Sequence, residues 1–171
     1  MFDSCVLGVD PGVAKLGLAA VARDGRKPTL IWADTVTTGV DEPEAERLRS
    51  IATAVRAAID AHGPVSLAVE RVAFNRNQVS ALGVARATGA VMVVAAEAGI
   101  DVQEYSPTEV KDSVTGMGNA DKRQVRDALE RVHGFRDLPS KPDAVDAAAV
   151  ALTHLVTARL RTAAARAEAT R

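Results

Sequence analysis

Cysteine is almost missing from this chain: Cys5 stands alone. No internal disulfide can form, and no thiol nucleophile with a partner base is in view, so a disulfide scaffold and thiol catalysis are both excluded. Long apolar runs are lacking too, and the longest falls far short of the roughly 20 residues of a membrane-spanning helix. Histidine is scarce and scattered; His62, His133 and His154 show no metal-ligand spacing and read as structural. The glycine-lysine loop of a nucleotide-driven enzyme is absent. Asp3 and Asp10 interrupt any basic-then-apolar leader at the N-terminus, so the expectation is a cytoplasmic protein. Excess charge of either sign is missing as well. At a net charge of −1 the bulk balance announces no nucleic-acid partner, and what counts is where the charges lie.

What is present is ordinary material for one globular domain over residues 1–171, with 47% apolar and 25% charged residues. A chain of this length hides roughly 70% of its unfolded surface. The alanine- and arginine-rich end, about 161–171, is expected to fray. Charges are unevenly placed. Residues 71–96 hold Arg71, Arg76 and Arg86 and no acid, residues 159–171 hold four arginines against Glu168, and acids gather at 41–46.

An apolar run over residues 5–10 that ends in Asp10-Pro11-Gly12 predicts a strand buried on both faces, with Cys5 inside it and an acid at its tip. A second strand over 16–21 leads to Asp24-Gly25, a hairpin signal, and a third begins near Leu30, giving an antiparallel meander. Leu48, Ile51, Val55 and Ile59 keep helical spacing from about Asp41 until His62-Gly63-Pro64 stops them. A fourth strand over 65–70 ends, like the first, in an acid, Glu70. The loop 71–77 leads to a helix over about 78–98 with Leu82 among its apolar positions and small residues suited to close helix approach. A fifth strand over 102–105 precedes Ser106-Pro107-Thr108-Glu109, a capping box with proline at the first helical position. After Gly116-Met117-Gly118, Asn119 is a candidate cap for a helix carrying Val125, Leu129 and Val132. The last helix starts at Pro142. The expected fold class is α/β: a five-stranded mixed sheet, with strands 1-2-3 an antiparallel meander and 4 and 5 parallel, flanked by helices. In it strands 1 and 4 can be neighbours.

Such neighbours would bring Asp10 and Glu70 together, and Asp143 and Asp146 share one face of the last helix at i and i+3. Four acids at two strand ends and one helix face can supply hard oxygen ligands to two divalent cations about 4 Å apart, an arrangement that hydrolyses phosphodiesters. Taken singly, each has another reading. Asp10 suits a turn, Asp143 complements a helix dipole, and Glu70, ending a strand, is the acid hardest to account for as structure alone.

Leu7-Gly-Val-Asp-Pro-Gly12, Ala68-Val-Glu70, Val110-Lys111 through Gly116-Met-Gly118 to Lys122, and Asp143-Ala-Val-Asp146 together resemble the RuvC family of Holliday-junction resolvases, in the ribonuclease-H-like superfamily. The resemblance covers nearly the whole chain. It implies a homodimeric, structure-selective endodeoxyribonuclease that makes paired symmetrical nicks in four-way DNA junctions by a two-metal mechanism, in recombination and repair. Mg²⁺ or Mn²⁺, two per site, would be held by Asp10, Glu70, Asp143 and Asp146. Lys111 and Lys122 match family lysines near the site, which would hold the phosphate backbone or help stabilise charge on the scissile phosphate. Arg71, Phe74, Arg76 and Arg123 complete the expected DNA contacts, and the RuvA and RuvB branch-migration proteins are the expected partners. One departure is visible: the family's stacking aromatic falls on Ala73 here, and the aromatic, Phe74, follows it. The helix over 78–98 matches the family's dimer helix. A junction-binding module without cleavage is disfavoured by four intact acids. An actin-like ATP-binding protein would need a second phosphate loop and about twice the length.

Overall fold

The computed structural model describes residues 4–25, 27–71 and 78–169. Five strands, β1 (Ser4–Asp10), β2 (Lys15–Asp24), β3 (Lys27–Thr37), β4 (Ser66–Glu70) and β5 (Asp101–Tyr105), form one sheet in the order β3-β2-β1-β4-β5. β1 to β3 are antiparallel, while β4 joins β1 in parallel and β5 joins β4 in parallel. The meander and the pairing of strands 1 and 4 expected from the sequence are both present. β1 sits at the centre with neighbours on both sides, which accounts for its unbroken apolar run.

Successive side chains of a strand leave opposite faces, and here the two faces meet different partners. Leu7, Val9, Leu18 and Leu67 point to one face and pack beneath α1 (Glu44–His62) and α2 (Gln78–Glu97) with Ile51, Val55, Val91 and Val94. Val6, Ala19 and Ala68 point to the other, beneath α3 (Pro107–Thr115), α4 (Lys122–Arg131) and α5 (Pro142–Ala169). The contacts of α5 on this second face are alanine-rich: Ala144, Ala147, Ala148 and Ala151 are fully buried. Two glycines complete the fit. A Cβ on Gly8 would stand 2.1 Å from the Ala147 carbonyl oxygen, and one on Gly17 would stand 2.0 Å from that of Asp143. The helix backbone therefore lies directly on β1 and β2, with no side chain between.

Local signals set the helix ends. Gly63 closes α1 in a left-handed conformation, and Ser106 and Glu109 form the expected capping box of α3, with Pro107 at its start. α4 differs from expectation: its cap is Asp121, whose side chain accepts from the Gln124 N–H, while Asn119 lies in the preceding turn. Asp121 and Gln124 satisfy two helix N–H groups reciprocally, which Asn119 with Lys122 three residues on could not do. Val132 and Leu82, read as core positions, are exposed, as is Val65, which precedes β4. The Trp32 and His62 rings stack at 4.9 Å, His133 Nε2 bonds the Val114 carbonyl, and His154 Nδ1 bonds the Tyr105 hydroxyl. All three histidines thus have structural contacts.

Candidate active site

Val9 pairs with Val69, so Asp10 and Glu70 are the next residues on adjacent parallel strands. Both lie on the α5 face: Gly8 and Ala68, two residues back on each strand, touch or face that helix. Asp10 is also the partner of Gly17 on β2. Because Gly17 has no side chain, the backbone of Asp143 rests on it, and the first turn of α5 arrives beside Asp10. Asp146 follows one turn later and lines a cleft of about 300 Å³ with Asp10, Glu70, Lys111 and Lys122.

Each lysine is set by a capped helix start. The capping box of α3 fixes the turn from which Lys111 reaches the cleft, and that of α4 puts Lys122 at its first helical position. A cation there opposes the helix dipole, and Asp146 offsets that cost: Lys122 Nζ donates to Asp146 Oδ2 at 2.6 Å. This bond is also the main reason the Lys122 ammonium is held above its usual pKa.

The carboxylates disturb one another. Burial, and then the charges of Glu70, Asp146 and Asp143, push the Asp10 carboxyl up to about 7, with Lys122 opposing the rise. Glu70 is raised as well, by burial first and by Asp146 second, with Lys122 and Lys111 opposing. A carboxylate whose pKa is raised by burial and by neighbouring acids marks a functional cluster more readily than a structural ion pair does. Two ammonium groups do not cancel four carboxylates, and hard oxygen donors crowded at their own electrostatic expense suit a small divalent cation. Among the described residues no three ligand side chains already close into a metal cage. The acids border an open cleft instead, with the Lys122 ammonium on one of them.

The model of the family "Crossover junction endodeoxyribonuclease RuvC" matches residues 6–154. The chain belongs to the RuvC family. A RuvC of Chloroflexus aggregans is 41% identical over 152 residues, spanning 89% of this chain and 93% of that one. The Mycobacterium tuberculosis RuvC is 39% identical over 169 residues, spanning 96% and 90%. Among solved structures, Thermus thermophilus RuvC in complex with Holliday junction substrate superposes with a TM-score of 0.86 at 38% identity, covering 93% of this chain and 97% of that one. A yeast mitochondrial Holliday junction resolvase shares the fold at 13% identity and a TM-score of 0.63, covering 86% and 77%. The ribonuclease-H-like α/β fold is thereby shown, and RuvC enzymes are metal-dependent endodeoxyribonucleases.

Of the residues singled out from the sequence, Asp10, Glu70, Asp146, Lys111 and Lys122 line one cleft. Asp143 stands at its edge, close enough for its charge to act on Asp10 and Lys122. Arg71 is exposed just past Glu70, its N–H bonded to the Tyr105 carbonyl. Arg123 is exposed beside Lys122. Phe74 and Arg76 lie outside the described residues. Sequence reasoning missed Arg126, whose guanidinium donates to the Leu138 and Pro139 carbonyls and so ties α4 to the loop before α5. It also missed Gly8 and Gly17. Lone glycines inside two strand-like runs were the available signal, since such positions accompany close backbone approach.

Proposed function

We propose that this chain resolves four-way DNA junctions by paired nicks, using Asp10, Glu70, Asp143 and Asp146 to hold two divalent cations, Mg²⁺ or Mn²⁺. The observation that carries this reading is the Asp10 carboxyl, pushed up by burial and by three neighbouring acids at a cleft that also presents two lysines. When bound, the cations supply an activated water and charge stabilisation at phosphorus. The chain's own residues do the rest. Asp10 and Glu70, fixed at the ends of adjacent strands, hold their oxygens on a rigid base. Asp143 and Asp146 approach them from one helix face. Lys111 and Lys122 line the same cleft and would supply positive charge to the oxygens of a scissile phosphate. Lys122 exchanges Asp146 for phosphate as the strand enters.

Arg71, Phe74, Arg76 and Arg123 are the proposed further DNA contacts, with Phe74 taking the stacking role that the family gives to the position of Ala73. A two-fold substrate calls for two sites, and α2 supports a homodimer. Leu82, Ala85, Gly89, Val93 and Ala96 are exposed along it at the three- and four-residue spacing of one helix face. Branch-migration proteins of the RuvA and RuvB kind are the proposed partners, and the cytoplasm is the proposed site of action; no described helix is long and apolar enough to cross a membrane.

The test uses a synthetic four-way junction and a linear duplex of the same sequence, each with and without Mg²⁺ or Mn²⁺. Metal-dependent paired nicks in the junction alone are expected. Equal cutting of the linear duplex would overturn junction selectivity, and cutting undiminished by chelation would overturn the metal assignment.

A further inference from the structure

Next to the acidic cleft, and sharing Lys122 and Asp146 with it, lies a second depression of about 240 Å³ between α4 and the start of α5. Pro142 and Val145 supply its apolar lining, and Ser140, Arg123 and Arg126 add polar groups. Its volume is below that of most small-molecule pockets, so it suits one unit of a ligand that continues into the neighbouring cleft.

The three cations around it are not equivalent. Lys122 is bonded to Asp146, and Arg126 is taken up by Glu130 and the Leu138 and Pro139 carbonyls. Arg123 has no ion pair or hydrogen bond among the described residues. It also stands in the first turn of α4, beside Lys122, where a second cation adds to the unfavourable interaction with the helix dipole. An anion beside it would relieve both effects. An apolar lining, a hydroxyl and an uncommitted guanidinium beside a phosphodiester-cleaving site match a sugar or base with its phosphate.

Resting on the reading of the acidic cleft as a junction nuclease site, we infer that this depression is a subsite for the nucleotide flanking the scissile phosphate, with Arg123 binding that nucleotide's own phosphate. The subsite would fix the strand's register over the acids, so its loss weakens positioning while leaving the cleavage chemistry in place.

Neutral methylphosphonate linkages, placed one at a time at each position within three nucleotides of the cut, test this. For the wild-type protein one flanking linkage is expected to slow junction cleavage roughly tenfold, the scale of one charge-assisted hydrogen bond. Arg123→Ala should slow cleavage of the unmodified junction by a similar factor, mainly through KM, and should lose sensitivity to that same linkage. Arg123→Lys should recover part of both. Arg123 is exposed, so its replacement leaves folding intact, which a melting curve checks. If Arg123→Ala keeps wild-type sensitivity to every linkage, the subsite is overturned. Should the wild-type protein bind junctions and cut none, the nuclease reading fails; linkages walked along the whole junction arm and scored by competition binding then test the phosphate contact alone, and if no linkage loses its effect in Arg123→Ala the subsite is overturned as well.

Discussion

The two faces of the sheet are packed by different means. Beneath α1 and α2 the contacts are made by Leu, Ile and Val side chains that fill the space between helix and strands. Beneath α5 valines and leucines also contribute, but alanines meet Gly8 and Gly17 and the helix backbone itself touches the sheet. Large side chains give a face more apolar burial, at about 25 cal/mol per Å². Close backbone contact gives something else: it brings charges anchored on a helix to the same cleft as charges anchored on strands. All four carboxylates of the candidate site belong to the close-packed side, and none belongs to the other. One face supplies stability and the other supplies position.

The largest expected effect comes from removing the acids that this close face assembles. Asp10→Asn and Asp146→Asn should each lower junction cleavage by at least about a hundredfold, since each removes a charged ligand of the metal-binding set. Both variants should bind junction DNA at least as tightly as wild type, because a negative charge facing phosphate has been removed. Cleavage and gel-shift measurements on the same preparations check this. A variant that still cut at the wild-type rate would take its residue out of the metal set.

Next in size are substitutions that break one face at a time. Leu67→Ala on the α1/α2 side leaves a cavity in a fully buried position and should cost about 2–5 kcal/mol in denaturant unfolding. Cleavage per folded molecule should stay close to wild type. Gly17→Ala is the opposite case. Its methyl group would meet the Asp143 carbonyl and push the first turn of α5 outward, at about 1–3 kcal/mol of overpacking. Cleavage should fall by at least about tenfold, because misplacing catalytic groups by about 1 Å can cost a hundredfold. Equal losses of activity in the two variants would remove the distinction between the faces.

Much of this arrangement is legible in the chain itself, and the parts that are not share a cause. The strand order follows from β1 being apolar on both faces, from a short-turn meander and from a second apolar run ending in an acid, all features of local periodicity. The acids are legible because a charge at the end of a buried run is costly unless a cation sits beside it. Gly8 and Gly17 are far less so, although they decide how near Asp143 comes to Asp10. Their role depends on which helix lies above them, and that is a long-range fact. The misplaced cap of α4 has a nearer origin: Asn119 and Asp121 are both good capping residues, and only the reciprocal bond from Gln124 selects the second. Val132, Leu82 and Val65 show the limit of periodicity, since each keeps an apolar spacing yet is exposed.

Comparable in free energy to the packing effects, and opposite in sign, is the pH dependence of the metal-free protein. The folded Asp10 carboxyl sits at about 7 against an ordinary value of 3.8, so the folded state holds a proton that the unfolded chain releases. Stability from this group is full below the unfolded value and is lost as pH rises from about 4 through 7. The bound is about 4 kcal/mol, from three pKa units at about 1.4 kcal/mol each, and partial solvent access reduces it. In chelator, Asp10→Asn should therefore melt above wild type at pH 8 and equal to it near pH 4. Adding Mg²⁺ at pH 8 should raise the wild-type melting temperature and leave the variant nearly unchanged. A wild-type protein whose stability rises between pH 5 and 8 relative to Asp10→Asn would contradict the crowding of acids on this face.

The smallest effect tests whether close packing alone sets the acid-bearing turn. Lys141, just before α5, reaches back to the edge strand, where its Nζ lies 3.4 Å from Asp34 Oδ1 and 3.4 Å from the Thr35 carbonyl oxygen. This tie runs outside the glycine contact and joins the start of α5 to β3 instead of β2. Both charged side chains are more than half exposed, and at that exposure an ion pair contributes about 0.2–1 kcal/mol and weakens with salt. Lys141→Ala should lower stability by no more than about 0.5 kcal/mol and leave kcat within about twofold, with any change vanishing in high salt. A tenfold fall in kcat that persists at high salt would mean that this outer tie helps hold Asp143 and Asp146 over the sheet, and that Gly17 does not set their position by itself.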